Sequence, residues 1–197
     1  MEHERTTRRT GRHTARAGNG RGHDAPVPGT AADLTPDADQ ESVARAIALR
    51  QLTLSARSRA QLAEAMAKRD VPQEVADRVL DRFEEVGLVD DQDFARQWVQ
   101  TRHAGRGLSR RALSHELRSK GVDDETAREA VDEIDDEDEL EAARILVRRR
   151  LPSMLADDPA RRVRRLSGML ARRGYGSSLA MRVIREVTGE QEEFRGD

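Results

Sequence analysis

The chain contains no cysteine, which excludes disulfides, thiol catalysis and iron–sulfur clusters together, and most structural zinc sites with them. Aromatic residues are limited to Phe83, Phe94, Trp98, Tyr175 and Phe194, so any core is aliphatic and thin. No apolar run approaches the roughly 18 residues that cross a bilayer. Met1-Glu2-His3-Glu4 leads into arginines and threonines, not into an apolar secretory segment. A soluble protein of the cytoplasm is expected, without membrane contact. Histidine offers little chemistry: His3, His13 and His23 fall in the N-terminal segment, while His103 and His115 have no second ligand or acid at metal or triad spacing. The stretches Gly18-Asn19-Gly20-Arg21-Gly22 and Gly105-Arg106-Gly107 lack the Gly-Lys-Ser/Thr ending of a phosphate loop and read as flexible connectors. No catalytic residue, metal site or cofactor is therefore expected, and the chain is not read as an enzyme.

Lysine is almost absent too, with only Lys68 and Lys120, so the positive charge is carried by arginine. Net charge is -2, from 35 basic and 37 acidic residues, but it is unevenly spread. Residues 142 to 185 hold 12 arginines against only Asp157 and Asp158. Just before them runs the acidic stretch Asp132, Glu133, Asp135, Asp136, Glu137, Asp138, Glu139 and Glu141. Its carboxylates are nearly consecutive and would point all round a helix, so it reads as a solvated junction and not as a cation site.

Residues 1–42 read as a disordered tail. They hold Pro26, Pro28 and Pro36 and only Val27 and Leu34 as sizeable aliphatics, too little apolar area to offset the entropy of ordering. From Val43 the apolar residues recur at helical spacings of three and four, with no sustained strand alternation. An internal repeat organises them. Shifting the sequence by 51 places Val43 on Phe94, Ile47 on Trp98, Leu62 on Leu113, Met66 on Leu117 and Phe83 on Ile134. A further shift of 53 places Leu113 on Leu166, Leu117 on Leu170, Gly121 on Gly174 and Ile134 on Val187.

Each unit reads as three helices. The predicted fold is all-α, a tandem, elongated and modular array of three three-helix repeats at 43–91, 92–139 and 140–189, with a disordered C-terminus at 190–197. Ser58 with Gln61, and Ser109 in the next unit, are N-cap candidates for the second helices. Gly121 and Gly174 stand where those helices must stop. Trp98 and Phe94, four apart on one helix, read as core contacts, and Tyr175 as packing with an exposed hydroxyl.

The constellation that points furthest toward function is basic: Arg148, Arg149 and Arg150, then Arg161, Arg162, Arg164 and Arg165, then Arg172 and Arg173. Guanidinium groups clustered on short helices meet phosphates or carboxylates in bidentate fashion. With almost no acid interleaved, the cluster is the candidate contact for a polyanion or an acidic protein surface. Weak direct binding of DNA is expected on this ground, with little base stacking because no aromatic residue beyond Tyr175 accompanies the cluster. One alternative is a helix-turn-helix-like DNA-binding transcription regulator, since three-helix units can carry a recognition helix. Against it stands the recurrence of the unit with its polar faces changed from basic to acidic.

The segment Gly87-Leu88-Val89-Asp90-Asp91-Gln92-Asp93-Phe94-Ala95, followed by Arg102, Gly107, Ser109, Leu113, Leu117 and Lys120-Gly121-Val122, resembles the bacterial RecX family of recombination regulators. The resemblance covers residues 43 to about 189 and leaves the tail outside. It implies a non-enzymatic protein that binds the RecA recombinase in the groove of its filament on single-stranded DNA; a monomer is expected separately, since no exposed heptad seam or large apolar patch is evident in the sequence. The resemblance further implies inhibition of RecA's ATPase, strand-exchange and coprotease activities, and through them an effect on repair, recombination and the SOS response. The nine arginines are the candidate contact by charge clustering and not by a family motif. The Gly87 to Ala95 segment is expected to serve structure, with Asp90 or Asp91 capping the helix of Phe94 and Trp98, and Leu88 and Val89 filling the seam between units one and two.

Overall fold

The computed structural model describes residues 36–193, in which nine α-helices and one short 3-10 turn carry the ordered chain, with no strand among the described residues. Repeat one is α1 (Pro36–Leu54), α2 (Arg59–Ala67) and α3 (Gln73–Glu85); repeat two is α4 (Asp91–Arg106), α5 (Arg110–Ser119) and α6 (Asp124–Asp132). Repeat three is α7 (Asp136–Arg150), a 3-10 turn (Leu151–Met154), α8 (Pro159–Arg172) and α9 (Ser177–Glu193). Each repeat closes its own aliphatic core. Leu62, Met66 and Leu80 centre the first, Leu113, Leu117 and Val99 the second, and Leu166, Leu170 and Ile184 the third. The repeat-equivalent leucines are fully buried, as the superposition of the sequence on itself requires.

The element boundaries differ from the composition reading at three places. Helix α1 begins at Pro36, so residues 36–42, assigned to the tail, are helical; Glu41 pairs with Arg78 of α3 at 3.0 Å and ties this extension to the first repeat. Helix α9 likewise runs to Glu193, past the expected boundary at 189. Helix α7 starts at Asp136 and not at 140. The acidic run supplies its N-cap, with Asp135 Oδ1 accepting from the Asp138 amide at 2.7 Å, and then its first turn, where carboxylates meet the positive end of the helix dipole. The remainder of the expected tail, residues 1–35, lies outside the described residues, as do residues 194–197.

The Gly87–Asp91 segment separates two roles that the sequence left open. Asp90 caps α4, its Oδ1 accepting from the Asp93 amide at 2.9 Å. Asp91 instead reaches back to repeat one and accepts from the Arg59 amide at 2.8 Å, so it caps α2 of the neighbouring unit. Burial at this seam holds the Asp91 carboxyl above its ordinary range, outweighing the Arg59 hydrogen bond. Gly87 takes a left-handed conformation (φ 71°) that ends α3. Leu88 and Val89 do not fill the seam: Leu88 is half exposed, and Val89 joins the first core, because the turn folds back onto Phe83 through the Leu88 amide at 2.8 Å. Asp90→Ala and Asp91→Ala should each cost about 1 kcal/mol as lost caps. Melts followed by circular dichroism with unchanged midpoints would refute both roles.

Both seams repeat one design. Ser58 and Ser109 are the buried polar side chains among the described residues, and each sits at the N-terminus of its repeat's second helix. In the first seam the Ser58 hydroxyl donates to the Lys120 carbonyl at 2.6 Å. In the second the Ser109 amide donates to the Arg173 carbonyl at 3.0 Å. Each acceptor precedes a left-handed glycine, Gly121 or Gly174, that ends the second helix of the following repeat. The next residue, Arg59 or Arg110, has its amide capped by a carboxylate of that following repeat, Asp91 or Glu139. The second seam holds more. The Tyr175 hydroxyl donates to the Gly107 carbonyl at 3.1 Å, Arg173 Nε to the Arg106 carbonyl at 3.0 Å and Arg111 Nε to the Gly174 carbonyl at 3.1 Å. Tyr175 is thus buried to its hydroxyl, contrary to the exposed hydroxyl expected, and burial pushes its pKa up to about 12. Tyr175→Phe leaves that buried carbonyl without its donor and should cost about 1 to 3 kcal/mol, read as a lower urea midpoint of repeat three.

Candidate partner-binding surface

The arginines singled out from sequence do not form one patch. Helix α7 places Arg149 and Arg150 one helical turn beyond Ile145 and Leu146, on the face turned toward α8 and toward the end of α4. Helix α8 brings Arg172, with Arg173 after it, to the same place. Together with Arg106 of repeat two they rim a cleft of about 970 Å³ at the junction of repeats two and three. Its floor is aliphatic, made by Leu108, Ile145, Leu146 and Met169, and Asp138 and Glu141 stand on the α7 wall. An adjoining cleft of about 260 Å³ shares Arg150, Met169 and Arg172 and adds Arg164 and Arg165.

The other arginines are committed elsewhere. Arg161 and Arg165 both pair with Asp157. Arg162 is partly buried and donates to the Asp157 carbonyl at 3.3 Å. Arg148 pairs with Glu141 at 3.3 Å. Arg144, in the same segment, is tied to Glu137, Glu141 and Glu186, which lock α7 to α9 and raise its pKa further, with the Glu137 hydrogen bond contributing most. Arg149, Arg150, Arg164 and Arg172 are exposed and have no ion-pair partner among the described residues. Their charge is available to a partner.

Arg106 escaped the charge-clustering argument because it lies in the acidic middle of the chain, within a Gly-Arg-Gly stretch that reads as a connector. That stretch is no free connector. Gly105 and Arg106 complete the last turn of α4, and Gly107 ends it in a left-handed conformation (φ 59°) packed against Leu146. The second glycine stretch, Gly18 to Gly22, lies outside the described residues.

Trp98 is not a plain core residue either. Its ring stacks on Phe94 at 5.9 Å between centroids, its Nε1 donates to Glu116 Oε2 at 2.8 Å, and two cations lie against it, the Arg102 guanidinium at 4.1 Å and Lys120 Nζ at 3.9 Å. Burial, and then the charge of Arg102, hold the Lys120 ammonium below its ordinary pKa. The repeat explains the difference: Trp98 occupies the position of Ile47, but an indole is larger than the buried site and its edge reaches the surface. Among the described residues no group of three or more His, Asp or Glu side chains converges as a metal site. No helix there is long and apolar enough to cross a membrane.

Comparison with known proteins agrees with this architecture unit by unit. Models of the first, second and third three-helix domains of RecX match residues 44–83, 90–131 and 136–184. The chain is similar to the regulatory protein RecX of Thermobifida fusca, 54% identical over 165 residues that cover 84% of this chain and 87% of that one. It is likewise similar to the regulatory protein RecX of Streptomyces coelicolor, 52% identical with 82% and 88% covered. That of Mycobacterium tuberculosis is 50% identical with 80% and 93% covered. The crystal structure of RecX from Lactobacillus salivarius superposes with a TM-score of 0.69 over 77% of this chain and 98% of that one, at 19% identity, a likeness of fold.

Proposed function

Because the chain belongs to the RecX family of regulatory proteins, we propose that it acts as a monomer that binds RecA and its filament on single-stranded DNA. There it inhibits RecA's ATPase, strand-exchange and coprotease activities, and so restrains recombinational repair and the SOS response in the cytoplasm. It works by binding and not by chemistry. The observation that carries the contact is the cluster of exposed guanidinium groups without internal partners, Arg149, Arg150, Arg164 and Arg172, set on the rim of the clefts of repeat three. Arginine presents planar donors to carboxylate and phosphate alike, which suits a filament that offers both protein and nucleic-acid surface. The array of separately cored units joined by narrow seams gives one molecule several contact points along a repeating partner.

The transcription-regulator reading is disfavoured at repeat two. Both ends of α5 are occupied, its N-terminus by repeat three and its C-terminal turn by repeat one, so it cannot present its first turn to a major groove.

The test is fluorescence anisotropy with cognate RecA assembled on labelled oligo-dT. Saturable binding to the filament is expected, with weaker, salt-sensitive binding to the bare oligonucleotide, whose affinity falls steeply between low and moderate salt. Equal affinity for bare DNA and filament would overturn the RecA reading in favour of a DNA-binding protein.

A further inference from the structure

The larger cleft carries features that charge alone does not explain. Along α7 it runs from Asp138 to Arg150, a rise of twelve residues and so about 18 Å of helix, or just over three turns. Its middle is aliphatic and open to solvent, with Ile145 46% exposed. One end carries carboxylates and the other carries arginines, and the one ring in its lining among the described residues is the His103 imidazole, whose Nδ1 already lies 3.0 Å from the Leu108 carbonyl. A phosphodiester chain meets this surface badly. Asp138 repels it at one end, the aliphatic floor offers no hydrogen bond, and no Phe, Tyr or Trp is present for a base to stack on. An amphipathic helix answers these features, with aliphatic residues spaced three and four apart on the floor, carboxylates at the end that meets the guanidinium groups and none at the end that meets Asp138.

We propose that this cleft receives an acidic amphipathic helix of a protein partner, its aliphatic side chains seated on Ile145, Leu146 and Met169 and its carboxylates paired with Arg149, Arg150 and Arg172. The inference rests on the function proposed above in taking the RecA filament as the source of that partner, and it assigns the protein half of the contact to this cleft. Phosphate contact is left to arginines outside it, such as Arg164.

The experiment uses the full chain and a fluorescein-labelled helical peptide of about 12 residues, long enough for the three turns, with leucines at i, i+3, i+4 and i+7 and glutamates only in the half that meets the arginines. Saturable binding by anisotropy is expected. Ile145→Ser, Arg149→Glu with Arg172→Glu, and a peptide with serine in place of leucine should each weaken it at least tenfold, while excess oligo-dT does not displace it. Ile145 is half exposed, so Ile145→Ser should keep the wild-type circular-dichroism spectrum. Displacement by oligo-dT, or undiminished binding by Ile145→Ser, overturns the proposal and makes the cleft a phosphate site. Absence of peptide binding also overturns it. If Ile145→Ser still inhibits RecA's ATPase as the unaltered chain does, the cleft assignment falls and the function stands. If the unaltered chain fails to inhibit, the function itself falls.

Discussion

Replacing Gly121 with alanine should uncouple the first repeat from the second. A Cβ at this position would lie 2.2 Å from the Ala60 Cβ, and at Gly174 it would lie 2.4 Å from the Ser109 hydroxyl and 2.6 Å from the Ala112 Cβ. Neither neighbour is the loose end of a flexible side chain, so the seam must open. The left-handed backbone adds its own penalty for a residue with a Cβ, of about 1 to 2 kcal/mol, and overpacking costs about 1 to 3 kcal/mol, for a total of roughly 2 to 5 kcal/mol. Repeat one supplies the control. Its equivalent residue is Asp70, also left-handed at φ 58° and exposed, with no repeat packed on it among the described residues. Asp70→Gly should therefore change stability by no more than about 1 kcal/mol.

The loss at Gly121 should show as lost cooperativity, because an array of this kind is held together by nearest-neighbour terms. Trp98, the one tryptophan, reports on repeat two, and far-ultraviolet circular dichroism reports on every helix. In the unaltered chain the two urea transitions should coincide. In Gly121→Ala they should separate, with the first repeat unfolding at lower urea. Coincident transitions at an unchanged midpoint would show that the glycine is not what lets the repeats approach.

The second large effect is on the partner. Reversing Arg149, Arg150 and Arg172 together to glutamate should lower affinity for the RecA filament on oligo-dT at least about 100-fold, or 2.7 kcal/mol, since three exposed and unpaired charges change sign at one place. Reversing Arg82 and Arg96, which are exposed but paired within repeats one and two, should change affinity by less than about threefold. The triple variant should keep its helix content, because none of the three takes part in an internal ion pair among the described residues. Equal losses in the two variants would mean that the chain is attracted by net charge and not held at the cleft.

The three-repeat fold was legible because each unit buries the same aliphatic positions, and burial at helical period is written directly in residue type. Leu62, Leu113 and Leu166 superimpose in the sequence alone, and all three are fully buried. The left-handed glycines 121 and 174 were legible from their place after a helix, but the stronger reason for them, the approach of Ala60 and Ser109 from the preceding repeat, was not. That depends on how units stack, and nothing local encodes it. The element ends at Pro36 and Asp136 were missed because composition averages over a window, whereas an ion pair such as Glu41–Arg78 or a cap such as Asp135 fixes a boundary residue by residue. At the candidate surface, charge clustering named Arg149, Arg150, Arg172 and Arg173, which line the larger cleft. It could not sort them from Arg161 and Arg165, which share Asp157, nor find Arg106, which arrives from the neighbouring repeat.

The single-stranded-DNA-dependent ATPase rate of the cognate RecA, titrated with this protein at substoichiometric amounts beside the Arg149, Arg150 and Arg172 reversal, tests the central claim most directly. The account predicts that the unaltered chain suppresses the rate well below one molecule per RecA protomer and that the triple variant restores it. An ATPase rate unmoved by the unaltered chain at any ratio would contradict it.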